Sequence, residues 1–238
     1  MNFHGSQRMY HFYLLLCCLL ICFGSTIHAQ EEERDNFRIR SFGLSLGVYD
    51  PELDYWKNDT TSRFLDAEFT TNIFASGFVE LTIVNDLVAK AGIGYWQTRA
   101  ETTIPKFGKT TMLLTGTPLS LDLIYYASPL RLGFVTPYAG VGGELVLIQY
   151  SLDFEDKENP DPVSGSTAML SGTFGLELAF SDHFSIDLFA EYKQGEYQQS
   201  FVRQVPNPDP DVPDAETEVT EDISLTGPKL GITMKYLF

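Results

Sequence analysis

Large apolar residues alternate with small or polar residues along the last part of the chain. From Leu230 to Phe238 every second side chain is apolar, and the residues between them include Thr233 and Lys235. A strand places successive side chains on opposite faces, whereas a helix cannot separate these two sets. The stretch therefore predicts a β-strand with one apolar face, and the chain stops on its aromatic end.

Seven further stretches show the same period of two, so the sequence predicts eight strands. In each stretch the charged residues share one parity, and each is long enough for a tilted strand that crosses a bilayer, which needs about 9–11 residues. Parity alone does not prove a membrane, because the strands of a soluble sandwich also alternate. The predicted strands are 38–49, 69–83, 87–97, 112–126, 136–150, 168–180, 183–194 and 224–238.

The connections between these strands alternate strictly between short and long. Residues 84–86 and 181–182 form short turns, and residues 127–135 form an intermediate one. Membrane-spanning barrels carry short turns at one end and long loops at the other, whereas a globular domain rarely carries four long loops without structure. Both termini fall on the short-turn side. The long connections are 50–68, 98–111, 151–167 and 195–223.

Two prolines interrupt the predicted strands. Pro118 and Pro228 cannot donate a hydrogen bond to a neighbouring strand. In a closed barrel every strand is paired on both sides, so each proline predicts a bulge or a local break.

Aromatic residues cluster at both ends of the predicted strands, as amphipathic rings do at the two boundaries of a bilayer. Tyr95 and Tyr192 end strands on the long-loop side. The short-turn side carries Tyr125, Phe180, Phe184, Tyr236 and Phe238.

The closing strand, with its terminal Tyr236-x-Phe238, resembles the last strand of bacterial outer-membrane β-barrels. In that family the final aromatic residue belongs to the signal that the insertion machinery recognises. Residues 38–238 as a whole resemble the small barrels of this class, namely the transmembrane part of outer-membrane protein A and its porin-like relatives. The resemblance implies an all-β fold, a closed antiparallel eight-stranded up-and-down transmembrane barrel with four long loops at the extracellular end. It also implies a structural, adhesin-like or receptor-like role, or a narrow channel.

The amino terminus has the composition of an export signal. Arg8 supplies a positive charge, residues 12–23 form an apolar core, and Ala29 offers a cleavage point before Gln30. The core is too short to span a bilayer as a helix, so we expect a signal peptide that is removed. The predicted organisation is a signal over 1–29, a short periplasmic segment over 30–37 and a barrel over 38–238, located in the outer membrane of a Gram-negative bacterium.

Little catalytic chemistry remains after this removal. All three cysteines, Cys17, Cys18 and Cys22, lie in the predicted signal, and His183 is the one histidine beyond it. A zinc site or a hydrolytic triad is therefore disfavoured, and neither a metal nor a cofactor is predicted. The signal carries one basic residue and no acid, so its loss shifts the formal net charge from −16 to −17. So acidic a chain argues against nucleic acid as a partner.

The polar faces predict a charged lumen, because an eight-stranded barrel is only wide enough for its own side chains. Buried charges need partners, so we expect a polar plug built on Lys90 and Lys235 with neighbouring carboxylates. Arg38 and Arg40 would lie near the mouth, and the excess of acids would be hydrated or protonated. A narrow cation-preferring pore is the alternative. The predicted network is Glu80, Lys90, Asp122, Glu144, Glu177, Asp187, Glu191 and Lys235.

Other functions have weaker support. The His183-Phe184-Ser185 segment resembles the His-x-Ser pair of lipid A deacylase barrels, but it lies beside a short turn. A soluble lipocalin-like barrel would need an apolar lumen. The acidic stretches 151–167 and 195–222 could bind an extracellular ligand. Within the second stretch, the proline-rich residues 206–213 should be extended and mobile. The acidic stretches could also meet lipopolysaccharide through divalent cations, although no calcium-loop pattern is present. Expected partners are thus outer-membrane lipid, lipopolysaccharide and the insertion machinery.

Overall fold

The computed structural model describes residues 37–54, 67–104, 108–155, 158–205 and 215–238. The predicted signal peptide, most of the periplasmic segment and the proline-rich stretch 206–213 lie outside these residues. No helix in the described part of the chain is long and apolar enough to cross a membrane.

Eleven strands and one short 3-10 helix, Ser128–Leu130, make up the regular structure of the described residues. The strands are β1 (Arg38–Tyr49), β2 (Glu68–Phe69), β3 (Ile73–Val84), β4 (Leu87–Ile104), β5 (Gly108–Tyr126), β6 (Val135–Phe154), β7 (Val163–Ser181), β8 (Phe184–Gln194), β9 (Glu196–Val205), β10 (Ala215–Ser224) and β11 (Gly227–Leu237).

Eight of these strands form a closed antiparallel ring. The order is β4-β3-β1-β11-β8-β7-β6-β5, and pairing of β5 with β4 closes it. The last strand meets the first, with Leu46 opposite Ile232 and Phe42 opposite Tyr236. The short strand β2 extends β3 along β4, and β9 and β10 form a separate hairpin that continues β8 and β11. The eight-stranded fold class predicted from the sequence is confirmed.

Three of the stretches predicted as long loops contain regular strands, and in 151–167 these are the end of β6 and the start of β7. The hairpin of β4 and β5 stays paired to Ile104 opposite Gly108, although residues 98–111 were expected to be a loop. Residues 195–223 contain β9 and β10. The prediction was wrong there because it equated polar composition with loop structure. Buried Thr98, Ala100 and Met112 still alternate with half-buried or exposed residues beyond the apolar part of the wall.

The two prolines behave differently. The ladder between β4 and β5 lacks its pairs between Ile93–Leu119 and Trp96–Gly116, where Pro118 would pair, so the local break is confirmed. The prediction was wrong for Pro228, which pairs with Tyr192 without any change of register. Pro228 lies where β1 ends, and there only its carbonyl is needed, as the acceptor for the backbone N–H of Asp50 at 2.9 Å.

The wall of the ring has an apolar outer face and a polar inner face. Leu44 and Leu121 are each 66% exposed, and Leu170 is 70% exposed. On the opposite parity, Glu80 and Lys235 are each 1% exposed. This distribution is the reverse of that in a water-soluble protein, and it confirms the predicted assignment of the two faces.

An apolar core fills the interior at the end of the ring opposite the short turns. This hairpin-end core is built from β1, β3–β7, β9 and β10, and its largest member is Trp96. The Trp96 ring meets Tyr49 edge-on at 5.6 Å and lies over Gly116. A Cβ on Gly116 would overlap the indole, which is 2% exposed and has no room to move. The remaining members are Tyr49, Leu53, Phe74, Ala100, Met112, Leu114, Val146, Ile148, Tyr150, Met169, Tyr197, Ile223 and Leu225.

We expect Gly116→Val to lower the free energy of unfolding by about 1–3 kcal/mol, since the added side chain must displace a packed indole. Urea unfolding in detergent, followed by tryptophan fluorescence, measures the change. Gly172→Val is the matched control, because a Cβ there has no atom within 4 Å, and its effect should stay within about 0.5 kcal/mol. Equal losses in the two variants would contradict the packing described here.

Candidate functional site

One cluster of buried charges surrounds Lys235 at the end of the ring that carries the short turns. The Lys235 ammonium contacts the carboxylates of Glu177 and Asp187, the latter at 3.0 Å, and reaches Glu80 at 3.8 Å. It also donates a hydrogen bond to the Tyr126 hydroxyl at 3.0 Å, which in turn donates to Glu80 at 2.9 Å. We call this group, together with Arg40, the turn-end cluster.

Arg40 belongs to the turn-end cluster although its position on β1 directs its Cβ to the outer face. Its parity on β1 matches that of exposed Phe42, yet the guanidinium bends over the end of the barrel and lies 3.6 Å from the centre of the Tyr126 ring. There it binds Glu177 at 2.7 Å and Glu80 at 3.3 Å. Only a long side chain at a barrel end can reach the lumen in this way.

A second group of charges lies at the middle of the interior. The Lys193 ammonium is 2.5 Å from Glu144 and 3.7 Å from Glu191, and Lys229 is 2.9 Å from Glu191. Lys229 also lies 4.3 Å from the centre of the Phe74 ring, at the border of the hairpin-end core. We call these four residues, with Lys90 and Asp122, the mid-barrel cluster.

Lys90 and Asp122 form the remaining pair of the mid-barrel cluster. They are opposite one another on β4 and β5, and their charged atoms are 3.4 Å apart. The Lys90 ammonium lies 5.1 Å from the centre of the Phe78 ring, which is a favourable position for a cation.

All eight residues predicted for the lumen network are thus directed inward, in two groups rather than one. Glu80, Glu177, Asp187 and Lys235 belong to the turn-end cluster, and Lys90, Asp122, Glu144 and Glu191 to the mid-barrel cluster. Whether the network has any role beyond filling the interior stays a prediction.

Sequence reasoning missed two cations, so it overstated the acid excess. Lys193 is two residues from Glu191, and Lys229 is two residues from Gly231, so parity already directs both inward. With Arg40 they bring the cations of the two clusters to five, against six carboxylates. Each of the six carboxylates lies within 4.0 Å of at least one of these cations.

The interior is filled at three successive levels. Lys235 and Lys193, one from each cluster, are each 1% exposed, and Trp96 of the hairpin-end core above them is 2% exposed. An ion that crossed these levels would have to lose its water and separate existing ion pairs, which is costly in a low-dielectric interior. This packing is that of a closed lumen rather than an open channel.

The two aromatic residues of the predicted assembly signal lie on the outer surface. Tyr236 and Phe238 are 5.1 Å apart between ring centres, and Phe238 meets Phe42 of the first strand at 5.3 Å. His183 stacks on Tyr236 at 5.8 Å. The carboxyl terminus is therefore held against β1 by aromatic contacts, and recognition by the insertion machinery stays a prediction.

The His-x-Ser segment does not form a catalytic pair. His183 is exposed in the turn after β7, whereas Ser185 is fully buried and points into the barrel. The Ser185 hydroxyl has no hydrogen-bond partner among the described residues, His183 included. Within the described part of the chain, no group of three His, Cys, Asp or Glu side chains is arranged to hold a metal ion.

Polar contacts order parts of the wall beyond the apolar belt. Asn159 accepts a hydrogen bond from the backbone of Phe154 at 2.7 Å and donates one to Asp153 at 2.6 Å. On the neighbouring hairpin, Glu101 contacts Lys109 at 2.7 Å and Arg99 at 2.5 Å. The hydrogen bond from Lys109 holds the pKa of the Glu101 carboxyl below its usual value.

No protein-family model and no curated protein sequence matches this chain. Among solved structures, the outer membrane protein OprG from Pseudomonas aeruginosa aligns over 85% of this chain and 95% of its own, with a TM-score of 0.55 and 15% identity. A major outer membrane protein from Thermus thermophilus aligns over 84% and 100%, with a TM-score of 0.47 and 14% identity. Neisserial surface protein A aligns over 85% and 97%, with a TM-score of 0.45 and 12% identity. The likeness to OprG shows a shared barrel fold.

We expect Lys235→Met to destabilise the barrel by about 3–5 kcal/mol, because Asp187 would lose its ion-pair partner and Glu80 and Glu177 would keep only Arg40. The midpoint of urea unfolding measures the loss. Lys109→Met removes an exposed partner of Glu101 instead and should cost less than about 1 kcal/mol. A Lys235→Met barrel as stable as the Lys109→Met barrel would show that the turn-end cluster contributes nothing.

Proposed function

We propose that this protein is an integral outer-membrane β-barrel with a filled lumen, which acts in the structure of the envelope or in contacts at the cell surface. The observation that carries the proposal is the apolar outer face of a ring that closes across the whole apolar belt. Such a surface would aggregate in water, whereas in a bilayer it contacts lipid tails, and closure of the ring leaves no open strand edge at that depth.

The dimensions of the apolar belt support this placement. At the end of the chain the exposed apolar residues run from Leu230 to Phe238, about 26 Å along the strand at 3.3 Å per residue and about 20 Å along the axis at a tilt near 40°. Outer-membrane barrels carry an apolar band about 25 Å tall, flanked by aromatic rings. At the short-turn end, Tyr125, Phe134, Phe180 and Phe184 supply such rings alongside Tyr236 and Phe238.

The alternation of connections gives the barrel a direction. Short turns face the periplasm in bacterial barrels, and long hairpins face outward. The turns at Asn85–Asp86 and Asp182–His183 therefore lie on the periplasmic side. The start of β1 and the end of β11 lie on the same side. The hairpins β4–β5, β6–β7 and β9–β10 then form the cell-surface end.

A narrow cation channel is the second candidate. It is favoured by two carboxylate oxygens, Glu144 Oε1 and Asp187 Oδ1, that are buried and have no hydrogen-bond partner among the described residues. They could line a path for a partly dehydrated cation. We rank it second because the side chains between them fill the interior. Neither candidate requires an enzymatic activity.

Cell fractionation tests the membrane assignment. We expect the mature protein in the outer-membrane fraction, with a gel mobility that changes on boiling, since a closed barrel resists detergent until it is heated. Recovery in the soluble periplasm would contradict the assignment, whatever the barrel does.

Planar bilayers separate the two functional candidates. We expect no resolved conductance steps from the inserted protein, because three levels of packed side chains close the lumen. Cation-selective steps whose selectivity falls in Glu144→Gln would instead support the channel. Heat-modifiable mobility of both proteins provides the control for correct folding.

A further inference from the structure

The wall of the barrel splits between β7 and β9. Strands β7 and β8 pair in register from Ala179–Ser185 to Leu170–Gln194. Past that point β7 continues to Val163, paired with β6 alone, and the chain continues into β9, which pairs with β10 alone. In the described part of the chain, no strand pairs with the two edges that face each other across this gap.

The gap is a polar cleft, which we call the β7–β9 cleft. Had the register of β7 and β8 continued, Ser166 would lie opposite Gln198 and Gly165 opposite Gln199. Instead these segments line a cavity of about 610 Å³, together with Asp222. The cleft begins where the Thr167 hydroxyl donates to the backbone carbonyl of Glu196. It is lined by residues 163–167, residues 196–200 and Asp222.

The cleft contains unused hydrogen-bonding capacity. Each strand edge offers backbone N–H and C=O groups at the spacing of a β-ladder. Gln199 lines the cleft and is 2% exposed, yet neither its amide nitrogen nor its amide oxygen has a partner among the described residues. A buried amide without partners is unfavourable. A ligand that supplies both a donor and an acceptor would remove this penalty.

We propose that the β7–β9 cleft binds an extended, basic polypeptide segment of a partner protein as an added β-strand. A strand is the ligand whose backbone groups match two facing edges at once. The only charged residues that line the cleft within the described chain, Glu196 and Asp222, are acidic and exposed, so the segment carries lysine or arginine.

This inference rests on the proposed function, which places the cleft at the cell surface. The outward residues here, Ser164, Ser166, Gln198 and Ser200, are exposed and polar, unlike the apolar belt below them. The cleft therefore opens to water rather than to lipid, and a partner in the external medium can enter it.

The test uses the refolded barrel in lipid vesicles and a short fluorescent peptide of alternating Thr and Lys. Binding is measured by fluorescence anisotropy. The control peptide has the same sequence with alternate backbone nitrogens methylated, which keeps the charge and removes hydrogen-bond donors. We expect the control to bind at least about tenfold more weakly. Equal binding of the two peptides would show charge attraction alone and would overturn the proposal.

Substitutions then locate the site. Glu196→Lys and Gln199→Leu should each weaken binding of the Thr-Lys peptide by about tenfold. Asp161→Lys changes the charge equally on an exposed residue outside the cleft and should leave binding almost unchanged. If all three variants bound alike, the cleft would not be the site.

Two further readouts keep the conclusions separate. Heat-modifiable mobility of every variant shows that the barrel is folded, so Glu196→Lys, an exposed change, tests the site even if Gln199→Leu does not fold. Binding of a neutral maltooligosaccharide that depended on Gln199, without peptide binding, would overturn the proposal in favour of a sugar site. A wild-type protein that stayed soluble in the periplasm would contradict the proposed function instead.

Discussion

The pairing of β1 with β11 is the constraint on which the rest of the structure depends. Lipid tails offer no hydrogen bonds, so a strand edge left open inside a bilayer would be very costly, and the ring must close. The register of this last pairing also determines which side chains face inward. A slip by one residue on β11 would turn Lys235 and Thr233 towards lipid and bring Met234 and Ile232 inside.

Ring closure in turn explains the interior. A barrel of eight strands encloses a space that its own side chains fill, and the inward parity of several strands carries charge. Each charge then needs a partner from another strand. Lys235 on β11 contacts Asp187 on the neighbouring strand β8 and Glu177 on β7, which is two strands away. The second ion pair therefore links two strands that share no backbone hydrogen bonds. Removing one partner leaves the others buried without compensation.

The sequence allowed the eight strands, the two faces and the direction of the barrel to be predicted, because a period of two survives in every strand. It did not reveal where the sheet ends. The alternation of Thr98 and Ala100 with exposed Arg99 is too weak against a polar background to separate a strand from a loop. Arg40 lies near a mouth of the barrel, as expected, but its contacts inside the lumen could not be predicted, because parity fixes the direction of Cβ but not the path of a long side chain. The Gln199 amide has no hydrogen-bond partner among the described residues, next to the gap between β9 and β7. That gap depends on contacts between distant parts of the chain, so a local sequence pattern does not reveal it.

The length of the strands has a consequence for how this protein meets its surroundings. Strand β6 has 20 residues, which extend about 65 Å, or about 50 Å along the axis at a tilt near 40°. This is about twice the height of the apolar band of such barrels. In the proposed orientation, the excess forms a collar that stands in the outer medium, beyond the lipid head groups. Large molecules that never touch the membrane surface can therefore reach its rim.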